Sequence, residues 1–323
     1  MGFGYFRLSL HLLEYVSDFE RILVMEELIN FAFTPLKLNI LMVLGIICGV
    51  AVLYCFVVGE ITKNYSQMDK LWSLLPPVYA WVIAGMGGMD LRLILIALLV
   101  TAWGARLTIN FARKGAYSWK FWTGVEDYRW QIVHGFKIFQ NKFVWSLFNL
   151  FFISFYQNFV VLLIVLPALM MVGSTTPFGI GDIITLLCFL GFFVLETVAD
   201  EQQWKFQETK KKMLKEGKKL EELPAPYNKG FNTTGLWGHA RHPNYLGENG
   251  QWISLFACSV TVLWPEFGPV ALINPSIIGC VLLLLIFVAS TILAENISKS
   301  KYPEYKNYQR KCSVYIPLWK YKD

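Results

Sequence analysis

Seven stretches of this chain approach the length and apolarity needed to cross a bilayer, and no other feature limits its fold so tightly. They cover residues 36–58, 71–89, 91–111, 144–172, 180–199, 245–264 and 270–293. About 20 apolar residues in a helix match the roughly 30 Å of bilayer hydrocarbon. Inside lipid each segment must satisfy its own backbone N–H and C=O groups, which selects the helix. Two stretches are weaker: Pro76 and Pro77 interrupt the second, and polar residues open the sixth. The expected fold is all-α, a multi-pass membrane bundle of about seven spans. Composition agrees, with 55% of residues hydrophobic and 16% charged; soluble domains carry about a quarter charged residues.

Residues 1–35 read as a separate N-terminal segment and 36–323 as the membrane-embedded domain. Glu14, Asp18, Glu20, Glu26 and Glu27 break any secretory-signal pattern. Leu10, Leu13, Val16 and Phe19 recur at helical spacing, as in an amphipathic helix on a membrane surface. With seven spans, connections 59–70, 112–143 and 200–244 and the tail from 294 share one face. That face holds 24 of the 29 Lys and Arg, against Arg7, Arg21, Lys37 and Arg92 opposite, with Arg106 inside a span. The positive-inside rule then turns the basic face toward the cytosol, for an endoplasmic reticulum protein, or toward the matrix, for a mitochondrial inner-membrane protein. The net charge of +6 follows from this bias and implies no nucleic-acid partner. The six cysteines and four histidines lack metal-ligand spacing, so neither a metal site nor a disulfide framework is expected. A GxGxxG or Walker loop is also missing, which argues against a soluble dinucleotide-binding domain.

The polar residues that interrupt the apolar pattern gather on the basic side. Arg241, His242, Asn244 and Glu248 stand at the mouth of the sixth span, with Pro243 and Gly247 between them. Ionisable groups at such a depth are costly without partners and mark a candidate site. Trp103, Arg106 and Asn110, at i, i+3 and i+7, share a helix face. Arg106 needs a carboxylate or phosphate there, and Glu196 or Asp200 can supply a structural ion pair. Glu196, Asp200, Gln203 and Gln207 share a face of the fifth span; acids there suit ribose hydroxyls, an amide or Arg241. Glu126-Asp127-Tyr128-Arg129-Trp130 lies in a basic, aromatic-rich loop, and Tyr302, Tyr305 and Tyr308 recur at steps of three in the tail.

Together with Asn64–Ser73, these segments come in an order that resembles the uncharacterised membrane branch of the steroid 5-alpha-reductase superfamily. The likeness runs from about Asn64 to Trp319. Sterol reductases and isoprenylcysteine carboxyl methyltransferases are more distant relatives that share the C-terminal helical core. The resemblance implies a cofactor pocket in that core, open to the cytosol-like side. In the reductases the pocket takes NADPH and hydride goes to a conjugated carbon–carbon double bond of a lipid; in the methyltransferases it takes S-adenosylmethionine. Carried over by position, Arg106, Asp200, Arg241, His242, Asn244, Tyr245, Tyr305 and Tyr308 would bind the cofactor.

The chain also departs from the family. Trp103 stands where the steroid reductases carry a tyrosine that helps polarise the enone carbonyl, and indole is only a weak donor. Gln203, Gln207 and Gly238 stand where basic residues are usual. The expectation is an NADPH- or NADH-dependent reductase acting on a hydrophobic lipid or steroid-like enone. Glu248, if protonated, or Tyr128 would be the catalytic donor, and Arg241 the phosphate ligand because its fork suits bidentate contact. The rival is a non-catalytic accessory subunit of a membrane complex, for example a respiratory one, that keeps the fold without using the cofactor. Membrane lipids are the remaining expected partners.

Overall fold

The computed structural model describes residues 20–321, so the apolar repeat expected at Leu10–Phe19 lies outside the described residues. The described chain is helical: α1 (Pro35–Thr62), α2 (Gln67–Met86), α3 (Leu91–Ala112), the short α4 (Tyr128–His134), α5 (Lys142–Met171), α6 (Ile180–Lys215), α7 (Pro243–Phe267), α8 (Ile277–Lys301) and the short α9 (Tyr305–Lys311). Six of these are long and apolar enough to cross a membrane: α1, α3, α5, α6, α7 with its extension to Ile273, and α8.

The remaining long helix corresponds to the second sequence stretch. With 20 residues, α2 is about 30 Å long, but Gln67, Asp69, Lys70 and Ser73 make its first turns polar. It runs antiparallel to α3. Ser73 Oγ lies 2.7 Å from Thr108 Oγ1, Trp81 Nε1 donates to Thr101 Oγ1 at 3.0 Å, and Gly87 abuts Leu93. Gly104 makes this contact possible: a Cβ there would lie 2.4 Å from the Ser73 carbonyl oxygen and 2.7 Å from Pro77 Cγ. The last span begins at Ile277, later than the expected residue 270. Gly268 takes a positive φ of 52°, a 3-10 turn covers Gly268–Ile273, and only then does helix resume.

Two ion pairs set the direction of the central helices. Arg92 Nε donates to Asp182 Oδ1 at 2.5 Å near the starts of α3 and α6, while Arg106 Nη1 donates to Asp200 Oδ2 at 2.7 Å further along both. Thus α3 and α6 run parallel. α7 returns along α6, because Asn244 meets Asp200 and Cys258 meets Asp182. Between the polar layers lies an apolar core that includes Ile96, Val100, Val160, Ile164 and Leu255. α5 contributes most of its middle to this core, after a wide π-helical stretch at Asn149–Tyr156. Outer faces such as Ile46, Val50 and Leu53 on α1 and Leu187, Leu190 and Val194 on α6 are exposed, as lipid contact requires. At the Arg92 end, Leu28 and Ala32 from helical residues 20–32 pack on Met170, Val260, Leu263 and Phe267. Buried Lys37 donates to the Phe31 and Met170 carbonyls there.

Candidate functional site

At the other end of α3, α6 and α7, polar side chains from all three helices meet. The i, i+4 spacing on α6 aims Glu196 and Asp200 at α3, where Arg106 bridges them. Its guanidinium contacts Glu196 Oε1 and also Asp200. Asp200 takes two further hydrogen bonds, from Asn110 Nδ2 at 2.8 Å and Asn244 Nδ2 at 3.2 Å. On the inner side Gln251 Nε2 donates to Glu196 Oε2 at 2.7 Å. The close fit of α7 on α6 depends on Gly247, whose absent Cβ would lie 2.6 Å from Glu196 Cβ. The Asp200 side chain remains 14% exposed, so the network reaches the basic face at this residue.

Deeper in, Glu248 is buried and held by two indoles. Trp103 Nε1 donates to its Oε2 at 2.8 Å and Trp252 Nε1 to its Oε1 at 3.0 Å. The two rings meet edge to face, 4.9 Å between centroids. Trp103 therefore turns its one donor onto a protein carboxyl. Three acceptors in or near this network lack partners: buried Asn244 Oδ1, Gln251 Oε1 on the inner side and, one turn beyond Asp200, Gln203 Oε1. Such atoms are costly unless a donor completes them.

Arg241, His242 and Tyr308 do not join Asp200. Arg241 Nε donates to Glu295 Oε1 at 2.6 Å, and its Nη1 donates to the carbonyls of Gln309 and Cys312. His242 Nε2 lies 3.1 Å from the same Glu295 oxygen. Backbone bonds from Arg241 N to Ser313 O and from His242 N to Val314 O lay the C-terminal segment alongside. Tyr308 donates to the Trp237 carbonyl and packs with Tyr305 on Phe231. Burial pushes both tyrosine hydroxyls above their usual range, so they stay protonated at neutral pH. Arg241, His242 and Tyr308 thus make their contacts in a second cluster beside the Asp200 layer. Tyr245 links the two: it is on the same turn of α7 as Asn244 and stacks on His242 at 5.0 Å.

Tyr128 is 53% exposed at the start of α4, with Lys301 Nζ 5.9 Å from its ring centroid. Its neighbours serve the scaffold. Asp127 caps α4 and pairs with Arg129, Trp130 Nε1 donates to Asp69 Oδ2, and Glu126 accepts from Tyr65 N. Sequence reasoning singled out Arg106, Asp200, Asn244 and Glu248 but missed Gln251 and Trp252 and the anchoring role of Glu295. Gln251 was the readable signal, an amide within an apolar run three residues past Glu248.

Comparison with known proteins places this chain in a family. A family of unknown function (DUF1295) matches residues 55–312. An uncharacterized protein from Schizosaccharomyces pombe is 35% identical over 286 residues, covering 83% of this chain and 79% of the relative. No solved structure matches the chain.

Proposed function

We propose a function from one premise: the chain belongs to the DUF1295 family, which lies within the steroid 5-alpha-reductase-like superfamily. Our reading is a membrane-embedded reductase that uses NADPH or NADH on the conjugated double bond of an apolar lipid. The observation that carries it is the polar layer around Asp200, where Asn244 Oδ1 and Gln203 Oε1 still lack donors. Both are acceptors, which fits the ribose hydroxyls and carboxamide N–H of a nicotinamide dinucleotide. Asp200, itself held by Arg106 and Asn110, positions Asn244 for that contact. Arg241 is a poor phosphate ligand in this arrangement, because Glu295 and two carbonyls already take its Nε and Nη1. Its role is to hold the C-terminal segment against the start of α7.

When bound, the dinucleotide would supply the hydride. The chain's own task is to exclude water and to aim a donor at the carbonyl oxygen where negative charge develops. Glu248 is fixed for that purpose by Trp103 and Trp252 and donates only in its protonated form; Tyr128, at the basic face, is the other candidate. The commitment of the Trp103 N–H to Glu248 favours the second reading, a non-catalytic accessory subunit with this fold.

The test is NADPH and NADH titration of the purified full-length chain, followed by nicotinamide fluorescence. Binding should weaken in Asn244→Ala and Asp200→Asn and persist in Lys218→Ala, which alters an exposed residue outside the site. Removing the neutral Asn244 contact should cost about 0.5–1.5 kcal/mol, or roughly 2- to 13-fold in affinity. A folded protein that binds neither nucleotide would leave the accessory reading standing.

A further inference from the structure

The connection between α3 and α5 carries bare apolar side chains at the basic face. Trp119 is 102% exposed, Val125 61%, Ile138 65% and Phe143 70%. Trp122 and Phe136 are about half exposed, and Lys120, Lys137 and Lys142 stand exposed among them. Both acids of the connection are engaged: Glu126 accepts from Tyr65 N at 2.7 Å, and Asp127 accepts from Arg129. Arg113 is likewise paired, with Glu201. The outward charge on residues 119–143 is accordingly positive.

This surface is presented rigidly. Buried Lys70 donates from Nζ to the carbonyls of Phe121 and Thr123, both at 2.7 Å. Gln67 Nε2 donates to Trp122 O and Asn64 Nδ2 to Gly124 O, each at 3.0 Å. The turn bearing Trp119 is therefore fixed over the junction of α1 and α2, where two helices of the bundle reach the basic face. At the other end, Phe136, Ile138 and Phe143 lead into the exposed stripe Leu147, Phe151 and Phe155 of α5. An indole fixed wholly in water gains nothing, whereas the headgroup layer offers it apolar and polar surroundings together. Lysines interleaved with such rings meet anionic headgroups favourably.

We propose that residues 119–143 form a headgroup-binding surface for anionic phospholipid. Trp119, Trp122, Phe136, Ile138 and Phe143 enter the bilayer boundary, and Lys120, Lys137 and Lys142 meet the lipid phosphates. Continuity with the outer stripe of α5 and the net positive charge, carried by three exposed lysines, select lipid over a protein partner or a second copy of the chain. The proposal is independent of any catalytic activity.

The experiment uses the full-length chain with exposed Cys188 replaced by Ala and a nitroxide at Trp119→Cys. It is reconstituted in phosphatidylcholine vesicles with and without phosphatidylglycerol. Accessibility to oxygen and to a water-soluble nickel chelate is compared with a label at Lys218→Cys. The Trp119 label should sit at headgroup depth, with chelate access several-fold below the Lys218 label and lower still when phosphatidylglycerol is present. Combining Lys120→Gln, Lys137→Gln and Lys142→Gln should abolish the extra protection from phosphatidylglycerol and leave the value in pure phosphatidylcholine. Equal chelate access at Trp119 and Lys218 in both membranes overturns the proposal. Dipolar broadening between labels also overturns it, by showing a second copy on this surface.

Discussion

Arg106 is the residue on which the polar layer depends, since a single guanidinium faces both Glu196 and Asp200 in a largely buried setting. Removing one partner of a buried ion pair leaves charge without compensation and typically costs about 3–5 kcal/mol. Arg106→Ala should destabilise the chain by that order in detergent, read as a fall in the thermal unfolding midpoint. Adding Glu196→Gln should recover part of the loss; no recovery would show that the two groups are uncoupled. Gly247 is a second sensitive point. Its missing Cβ would lie 2.6 Å from Glu196 Cβ and 2.8 Å from Glu196 N, so Gly247→Ala should cost about 1–3 kcal/mol by overpacking, again measured by unfolding. The Arg106 contact was legible because an arginine inside a span needs an acid, and two acids lay one turn apart on another span. The Arg241 contacts were not legible. Glu295 lies 54 residues away and the other acceptors are main-chain carbonyls, which no side-chain pattern reveals.

Among the elements, α3 concentrates the functional question on one face. Trp103 and Arg106 lie one turn apart; the first meets Glu248 and the second meets Glu196 and Asp200. An indole N–H donates a hydrogen bond but supplies no proton near neutral pH. The unmodified chain with NADPH should therefore fail to reduce 3-oxo-Δ4 steroids, as followed by loss of nicotinamide absorbance. Turnover in Trp103→Tyr alone would mean that the pocket kept its shape and lost its donor, while turnover by the unmodified chain would remove the argument from Trp103. Helix identity followed from the length and apolarity of the runs, and α1, α3 and α6 begin within a residue of their expected starts. The start of α8 was less readable. The run from Val270 is apolar throughout its first turn and hid the break that Gly268-Pro269 and Asn274-Pro275 make on either side of the 3-10 turn.

For the whole molecule, the two ion-pair layers define a slab. Arg92 and Arg106 are 14 positions apart on α3, or about 21 Å along a helix. Apolar residues such as Ile96 and Val100 fill the interval. Polar layers at that spacing fit beneath the two boundaries of a bilayer, and the basic connections all leave from the Arg106 end. Sidedness follows from the same geometry: sites at Lys114, Lys218 and Lys306 should lie on one side of the membrane and Met89, beyond the C-terminal end of α2, on the other. Each position except Met89 is an exposed lysine, and Met89 is itself 49% exposed, so single cysteines there should be tolerated. In sealed vesicles of one orientation, an impermeant maleimide should label the three lysine positions alike and Met89→Cys oppositely. If Met89→Cys labelled together with Lys63→Cys, in the connection that precedes α2 and itself exposed, α2 would not cross and the bundle would have an even number of spans. Opposite labelling would instead establish α2 as a seventh crossing, its polar first turns and two prolines carried by the tight contact with Gly104.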